Sequence, residues 1–405
     1  MSEVTKPMAL DETLQATNHL LAHLNASVDL LASDKRSELV TDVATVAQLA
    51  KNDELLEVMD YGDGIHPAWV DGETNYNPEM NLCHVSTEEL EDGETIRGAF
   101  FEWDKTLPFG AQFDAPEAIC YFDGTEAAGT YHIPITVSYG TGWVAGEAIQ
   151  FTLSEAPAEG DQLVLSTATN NANNPTNGMT WNVYGKGSTE SKQNGTTSNG
   201  TGGTALDAAN SQVTPNGKTN AIQRVVYGYN RWSQSGLRQF LNSDAAAGSW
   251  WTAQNPWDRP HGLLATKPGF LAGYDDDVKQ YFKPIKVVTV ACNGDSNAED
   301  VTYDKVFLSS LEQMYCVPQF SGKEGEYWEY YKRLLGRTTP APTSATYPRL
   351  IKYALNAATS AQNCFRRSAN LNFATSVWYV NTSGYVSTYY AYNALRCAPS
   401  VFISD

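Results

Sequence analysis

Apolar positions in the first sixty residues recur at helical spacing. Leu14, Leu21 and Val28 lie seven apart, and Leu24 and Leu31 fill the alternate seam. After a polar break at 33–37 the stripe resumes at Leu39, Val43, Val46 and Ala50. Three-four spacing gathers such side chains on one helix face. It predicts two helices over 10–59, arranged as a helical hairpin, as an oligomeric coiled coil, or packed singly on their own domain. Segment 1–59 is thus a helical N-terminal segment and a candidate oligomerisation element.

From residue 60 the period shortens to two. Thr130-Tyr131-His132-Ile133-Pro134-Ile135-Thr136-Val137 and Ala148-Ile149-Gln150-Phe151-Thr152-Leu153 alternate as half-buried strands do, and Gly140, Gly142 and Gly146 between them mark turns. The spacing of these glycines misses the dinucleotide fingerprint, and no helical pattern follows them. Residues 60–185 are therefore expected to form an antiparallel, sandwich-like β domain. Residues 186–203 carry no apolar side chain and cannot offset their ordering entropy by burial, so 186–220 reads as an exposed linker or loop.

The remainder, 221–405, mixes short elements. Leu237, Phe240 and Leu241 share a helix face behind an N-cap at Ser233 or Ser235. Residues 282–290 and 305–308 read as strands, and 377–386 as a hairpin turning at Asn381-Thr382-Ser383-Gly384. The expected fold class is multidomain: N-terminal helices, a middle antiparallel β domain and a C-terminal α+β domain.

Composition narrows the function. Across 405 residues, Lys and Arg number 27 against 46 Asp and Glu, a net charge of −19, and such a field repels nucleic acid. No apolar run approaches the roughly 20 residues that span a bilayer, so no membrane insertion is expected. Residues 1–10 lack the basic start and apolar run of a secretory signal, which points to synthesis in a cytoplasm without export by that route. The six cysteines are scattered with no C-x-x-C pair, the pattern of reduced thiols rather than of a disulfide frame or zinc cluster.

Catalytic patterns are not found. His19 and His23 lie four apart with no third ligand near in sequence, and no nucleophile elbow or P-loop occurs. Asp275-Asp276-Asp277 lacks the alternate ligand spacing of a calcium loop and reads as a helix start. No metal or cofactor is expected.

Two features single out residues 363–396. Five of the 22 tyrosines, Tyr379, Tyr385, Tyr389, Tyr390 and Tyr392, fall within fourteen residues, interleaved with Ser, Thr, Asn and Ala. Tyrosine beside small polar residues is the composition of antibody paratopes, where rigid amphipathic rings sit next to adaptable hydrogen bonders. The second feature is an absence: Lys, Glu, Gln and Met number 59 in the chain, so about five belong in these 34 positions, and none occurs.

Several motifs recur in order through this region: Tyr229-Asn230-Arg231-Trp232-Ser233-Gln234-Ser235-Gly236-Leu237-Arg238, Gly269-Phe270-Leu271, Val306-Phe307-Leu308-Ser309-Ser310-Leu311-Glu312, Arg367-Ser368-Ala369, Val380-Asn381-Thr382-Ser383-Gly384-Tyr385-Val386 and Arg396-Cys397-Ala398-Pro399. Together they resemble the C-type-lectin-fold variable proteins of diversity-generating retroelements, especially those of gut bacteriophages, kin to the phage major tropism determinant. The resemblance covers roughly 220–405 and implies a C-type-lectin-like variable domain over 221–405. In that family, template adenines are mutated in codons that end in a pyrimidine. Such codons never encode Lys, Glu, Gln, Met or Trp, and the first four are the types absent here.

Carried over residue by residue, the resemblance implies a diversified, ligand-binding set of Cys364, Phe365, Asn370, Asn372, Phe373, Thr375, Ser376, Tyr379, Tyr385, Ser387, Thr388, Tyr389, Tyr390 and Tyr392. Trp378 cannot arise this way and is assigned to the fixed core with Val380 and Val386. Arg366 departs from the apolar residue expected before Arg367-Ser368.

The implied function is that of a receptor-binding tail protein of the virion, not an enzyme. It would bind a protein or glycan of the bacterial host surface and act as a homo-oligomer, with a trimer as one arrangement. The alternatives are a structural tail component without adhesive role, or an enzyme of the formylglycine-generating type, for which Cys364 and Cys397 are the candidate thiols. Residues 332–405 carry eight basic side chains and one acidic, a local excess that either meets anionic surfaces or is matched internally.

Overall fold

The structure is a computed structural model that describes residues 42–72, 74–166, 171–212 and 219–405. It is multidomain and mostly β. Its central sheet has five strands in the order Gly64–Ile65, Met80–Glu89, Thr95–Trp103, Ser400–Ile403, Val306–Phe307. The closing strand therefore sits beside one formed three hundred residues earlier, with Val401 opposite Phe101 and Ile403 opposite Ala99. Ser400–Ile403 is buried throughout and Thr95–Trp103 from Gly98 onward, apolar there except for Ser400 and Glu102.

This pairing revises the expected division at 60–185, 186–220 and 221–405. Residues 60–113 belong to the same hydrophobic core as 232–403. A second core, from Ile119 to Tyr227, is filled by an inserted β unit of two four-stranded sheets. One runs Ser191–Thr196, Thr180–Tyr184, Gln162–Leu165, Cys120–Tyr121, and the other Ser198–Asn199, Ala148–Leu153, Gly129–Pro134, Thr204–Ala205. Trp181 of the first meets Phe151 of the second edge-on, so the sheets share one interior. The expected linker at 186–203 is part of these sheets. Its strands are edges, held by backbone pairing and by the buried Gln193 and Thr197, which needs no apolar residue.

Of the N-terminal segment, the described part is the helix Val43–Lys51 and the short Leu55–Val58. Val43, Val46, Ala47 and Ala50 are buried in the main core, so this helix packs on its own domain and is no free stalk. The seam from Leu14 to Leu31 lies outside the described residues. Among the described residues no helix is long and apolar enough to cross a membrane.

Beneath the sheet lies a buried charge cluster. Glu102 accepts from Lys352 at 3.0 Å and from Arg366 at 3.3 Å, with Ser309 Oγ at 2.6 Å and Ser400 Oγ at 3.2 Å. The Tyr331 hydroxyl donates to the same carboxylate. Burial alone would raise the pKa of Glu102, but Lys352, then Arg366 and the two hydroxyls of Ser309 and Tyr331, reverse it and hold the group at about 2. Arg366, where the resemblance implies an apolar residue, is thus a buried counter-ion.

Glu102→Gln strands two buried cations and should cost about 3–5 kcal/mol. Because its carboxyl is lowered on folding, the ionised Glu102 stabilises fully above 4.5 and that contribution is lost as pH falls through about 2. The gap in unfolding free energy between wild type and Glu102→Gln, measured in urea, should therefore shrink from pH 5 downward; a constant gap would reject the assignment.

Candidate functional site

Arg366 and Arg367 lie in the strand Cys364–Ala369, the inner strand of a four-stranded sheet ordered Val386–Tyr390, Ser376–Val380, Cys364–Ala369, Arg396–Cys397. Arg367 is itself buried, with Nη1 on Leu308 O at 2.7 Å and further bonds to Gln313 Oε1 and Glu324 O. Two buried guanidinium groups pin this strand. The chain then loops through 370–375 and enters the C-terminal hairpin.

The loop is held through its backbone. The Asn230 side chain, 1% exposed, donates to Phe373 O at 2.7 Å and Ser376 O at 2.9 Å, and its N–H donates to Ala374 O at 2.8 Å. Asn293 N–H donates to Leu371 O at 2.8 Å. Gln319 Oε1 accepts from Leu371 N–H at 2.8 Å and from Trp378 Nε1 at 3.0 Å, which fixes the buried Trp378 to the same frame. At the hairpin's far end Asn381 Oδ1 accepts from the N–H groups of Ser383 and Tyr385, both at 2.8 Å, and Gly384 takes φ 83° to close the turn.

This frame opens into a pocket of about 480 Å³. Phe373, Thr375 and Ser376 line it from the loop, and Thr388, Tyr389 and Tyr390 from the hairpin's second strand. The register sets Ser376 opposite Tyr390 and Trp378 opposite Thr388, so the pocket end of the hairpin is the end away from the turn. Phe373 and Tyr389 are 51% and 43% exposed. Tyr379 packs beside Tyr389 with ring centroids 5.4 Å apart.

The inserted unit supplies the other wall, Tyr139 and Asn171. Gly140, at φ 58°, and Gly142 let the 139–143 turn lie directly on this segment: a Cβ at either would come within 2.2 Å of a carbonyl oxygen, of Asn171 or Asn173 respectively. The N–H groups of Thr141 and Gly142 both donate to Asn171 O at 2.9 Å. Tyr227, from the same unit, stacks on Tyr390 with centroids 3.8 Å apart and planes 4° from parallel, and its carbonyl accepts from Tyr392 N–H at 3.0 Å. Burial raises the hydroxyl pKa of Tyr139, Tyr379, Tyr390 and Tyr392, so all four remain neutral donors at physiological pH.

Six of the fourteen expected residues thus meet in one pocket, with Tyr379 and Tyr392 at its margin. Asn370 and Asn372 sit on the loop, where Asn370 Oδ1 accepts from Asn372 N–H at 2.8 Å. Tyr385 and Ser387 lie toward the turn; Tyr385 is about 17 Å of strand from Tyr390 at ~3.4 Å per residue and does not join the pocket. Cys364 and Phe365 are corrections. Both are fully buried because their side chains enter the main hydrophobic core, where Phe365 packs edge-on against Phe113 at 5.9 Å. Neither side chain can touch a ligand. Thr375, 1% exposed, contributes only to the pocket floor.

Sequence reasoning missed Tyr139, Asn171 and Tyr227. The available signal was the Tyr139-Gly140-Thr141-Gly142-Trp143 turn, whose glycines mark a close backbone approach. Burial raises the thiol pKa of Cys364 and Cys397, the reverse of what a nucleophile needs. The basic excess after residue 332 is largely matched internally. Lys352 and Arg366 serve Glu102, Arg367 is buried, and Lys332 and Arg333 reach Glu329 and Asp60.

Residues 206–402 match a family model described as a domain of unknown function, DUF6273. That span holds the whole C-terminal hairpin and its loop but not the paired hairpin at 80–103. No curated protein and no solved structure matches the chain.

The two pocket tyrosines should behave differently. Tyr389→Ala removes an exposed ring and should shift stability by no more than about 0.5 kcal/mol. Tyr390→Ala unstacks Tyr227 and should cost about 1–2 kcal/mol. Thermal melts of the two variants decide this; equal melting temperatures would contradict the stacked arrangement.

Proposed function

We propose that the chain is a phage receptor-binding protein whose C-terminal C-type-lectin-like face, diversified by a retroelement, binds a variable ligand on the bacterial surface. One observation carries the reading: the loop and hairpin are fixed by bonds to their backbone from residues outside the variable segment. Asn230 and Gln319 hold carbonyls and an N–H group of the loop, not the side chains of Phe373 or Tyr389; Asn293 holds Leu371 O through its own N–H, and its amide adds one exposed 3.3 Å bond to Asn372 Oδ1. A surface built this way exchanges its outward side chains without losing its shape, as a binding face under diversification requires.

Exposed aromatic rings beside small hydroxyl side chains supply the contact energy, with a few anchors dominating. Of the implied set, Asn370, Asn372, Phe373, Tyr379, Tyr385, Ser387, Thr388, Tyr389, Tyr390 and Tyr392 are exposed or half-buried and so exchangeable, Tyr390 least freely because it also stacks on Tyr227. Cys364 and Phe365 fall outside the binding face even if their codons vary. Several copies in a virion tail would add avidity to weak single-site contacts.

Two measurements test the proposal. The DNA beside the gene should hold a near-copy of the segment encoding 370–392 with adenines at the outward-facing codons, next to a reverse transcriptase gene. The purified chain should sediment with envelopes of its host bacterium, and Tyr389→Ala should reduce that binding by about tenfold or more at unchanged melting temperature. A locus without template repeat and reverse transcriptase overturns the diversification, and undiminished envelope binding by Tyr389→Ala overturns the assigned face.

A further inference from the structure

Resting on that reading of the face as a ligand site, the pocket's own chemistry narrows the ligand. None of its eight lining residues is charged. An ionised ligand group entering it would shed water with no counter-charge to meet, a cost of several kcal/mol. The polar atoms present are hydroxyls of tyrosine, threonine and serine and the amide of Asn171, each able to donate and to accept. Between them stand the open ring faces of Phe373 and Tyr389, half exposed on an otherwise polar rim. The volume, about 480 Å³, falls within the ~300–1,000 Å³ of small-ligand pockets and suits a projecting ring better than a flat protein surface.

We propose that the pocket takes a neutral saccharide, stacked by its C–H face on Phe373 or Tyr389, and that Tyr139 and Asn171 of the inserted unit form a fixed wall that sets its specificity. A pyranose has the matching pattern: apolar C–H faces and a perimeter of hydroxyls that donate and accept. Tyr139 and Asn171 lie outside the diversified segment, so this wall persists while the opposite one changes. Diversification then selects among neutral sugars and their linkages rather than among ligand classes. The wall is rigid because the 139–143 turn and Asn171 are joined backbone to backbone. A peptide would use the same rings but needs acceptors and donors in line along an extended backbone, whereas the lining offers side-chain hydroxyls and one amide.

The test uses the full chain and three matched sugars that differ in charge, N-acetylglucosamine, glucosamine and glucuronate, together with the neutral methyl glycosides of glucose, galactose, mannose and rhamnose. Saturation-transfer NMR should show binding of at least one neutral sugar, with both charged sugars at least about tenfold weaker. Tyr139→Ala and Asn171→Ala should each weaken the bound sugar by about tenfold, while Tyr139→Phe, which keeps the ring and removes only the hydroxyl, should lose less. Failure of every neutral sugar to bind, equal binding of a charged one, or full binding by Tyr139→Ala overturns the inference. Envelope sedimentation separates this outcome from failure of the parent reading. Envelope binding that is lost in Tyr389→Ala, but neither competed by neutral sugars nor abolished by glycosidase treatment and instead removed by protease, leaves a receptor-binding face whose ligand is protein.

Discussion

The Glu102 carboxylate is the point on which the molecule closes. It lies in a strand formed early in the chain, and its partners come from residues 309, 331, 352, 366 and 400. A carboxylate buried to 0% exposure is tolerable only when each lone pair is met, and here two cations and three hydroxyls meet it. The demand runs both ways, because Lys352 and Arg366 are buried too. Correct threading of the C-terminal half onto the 80–103 hairpin is therefore specified by charge as well as by apolar fit. Any alternative register would leave an ion alone in the core.

That constraint reaches the pocket through one strand. Arg366 and Arg367 anchor Cys364–Ala369 from below, and the next residues form the loop that carries Phe373. The anchored strand gives the loop a fixed start, Asn230 and Gln319 fix its middle, and the Asn381 turn fixes the hairpin it leads into. Side chains with the greatest exposure, Phe373 and Tyr389, make the fewest demands on this frame. Tyr390 differs: its ring serves the inserted unit through Tyr227, so it carries structure as well as surface. A position of that kind tolerates fewer substitutions than its neighbour, although the two are adjacent in sequence.

Local pattern made part of this legible. The alternating runs became Gly129–Pro134 and Ala148–Leu153, and the Leu237, Phe240 and Leu241 face became the helix Gly236–Leu241 behind Ser235. The hairpin turn at Asn381 also falls where its residues place it. Strand partnership was not legible. Thr95–Trp103 carries in Gly98–Phe101 an apolar run that fits many buried strands, and nothing local tells it to wait for Ser400–Ile403. Ser191–Thr196 failed for the opposite reason, since an edge strand made of polar residues has no periodic signal. Arg366 looked misplaced because its counter-ion is 264 residues away.

The pocket's second wall follows the same logic. A hairpin alone offers a convex or flat surface, and side chains projecting from it reach a ligand from one side only. The inserted unit turns that surface into a cleft by bringing Tyr139 and Asn171 against it, and Tyr227 stacked on Tyr390 sets the distance between the walls. Concavity matters energetically: a small ligand gripped from two sides buries more of its surface and loses less of its binding free energy to residual solvent exposure. It also divides labour. The wall tied by glycine-permitted backbone contacts is costly to alter, whereas on the opposite wall the exposed Phe373 and Tyr389 are cheap to alter and Tyr390, stacked on Tyr227, is not. A site that must keep its ligand chemistry while changing its ligand is served by that asymmetry, and neither wall alone supplies it.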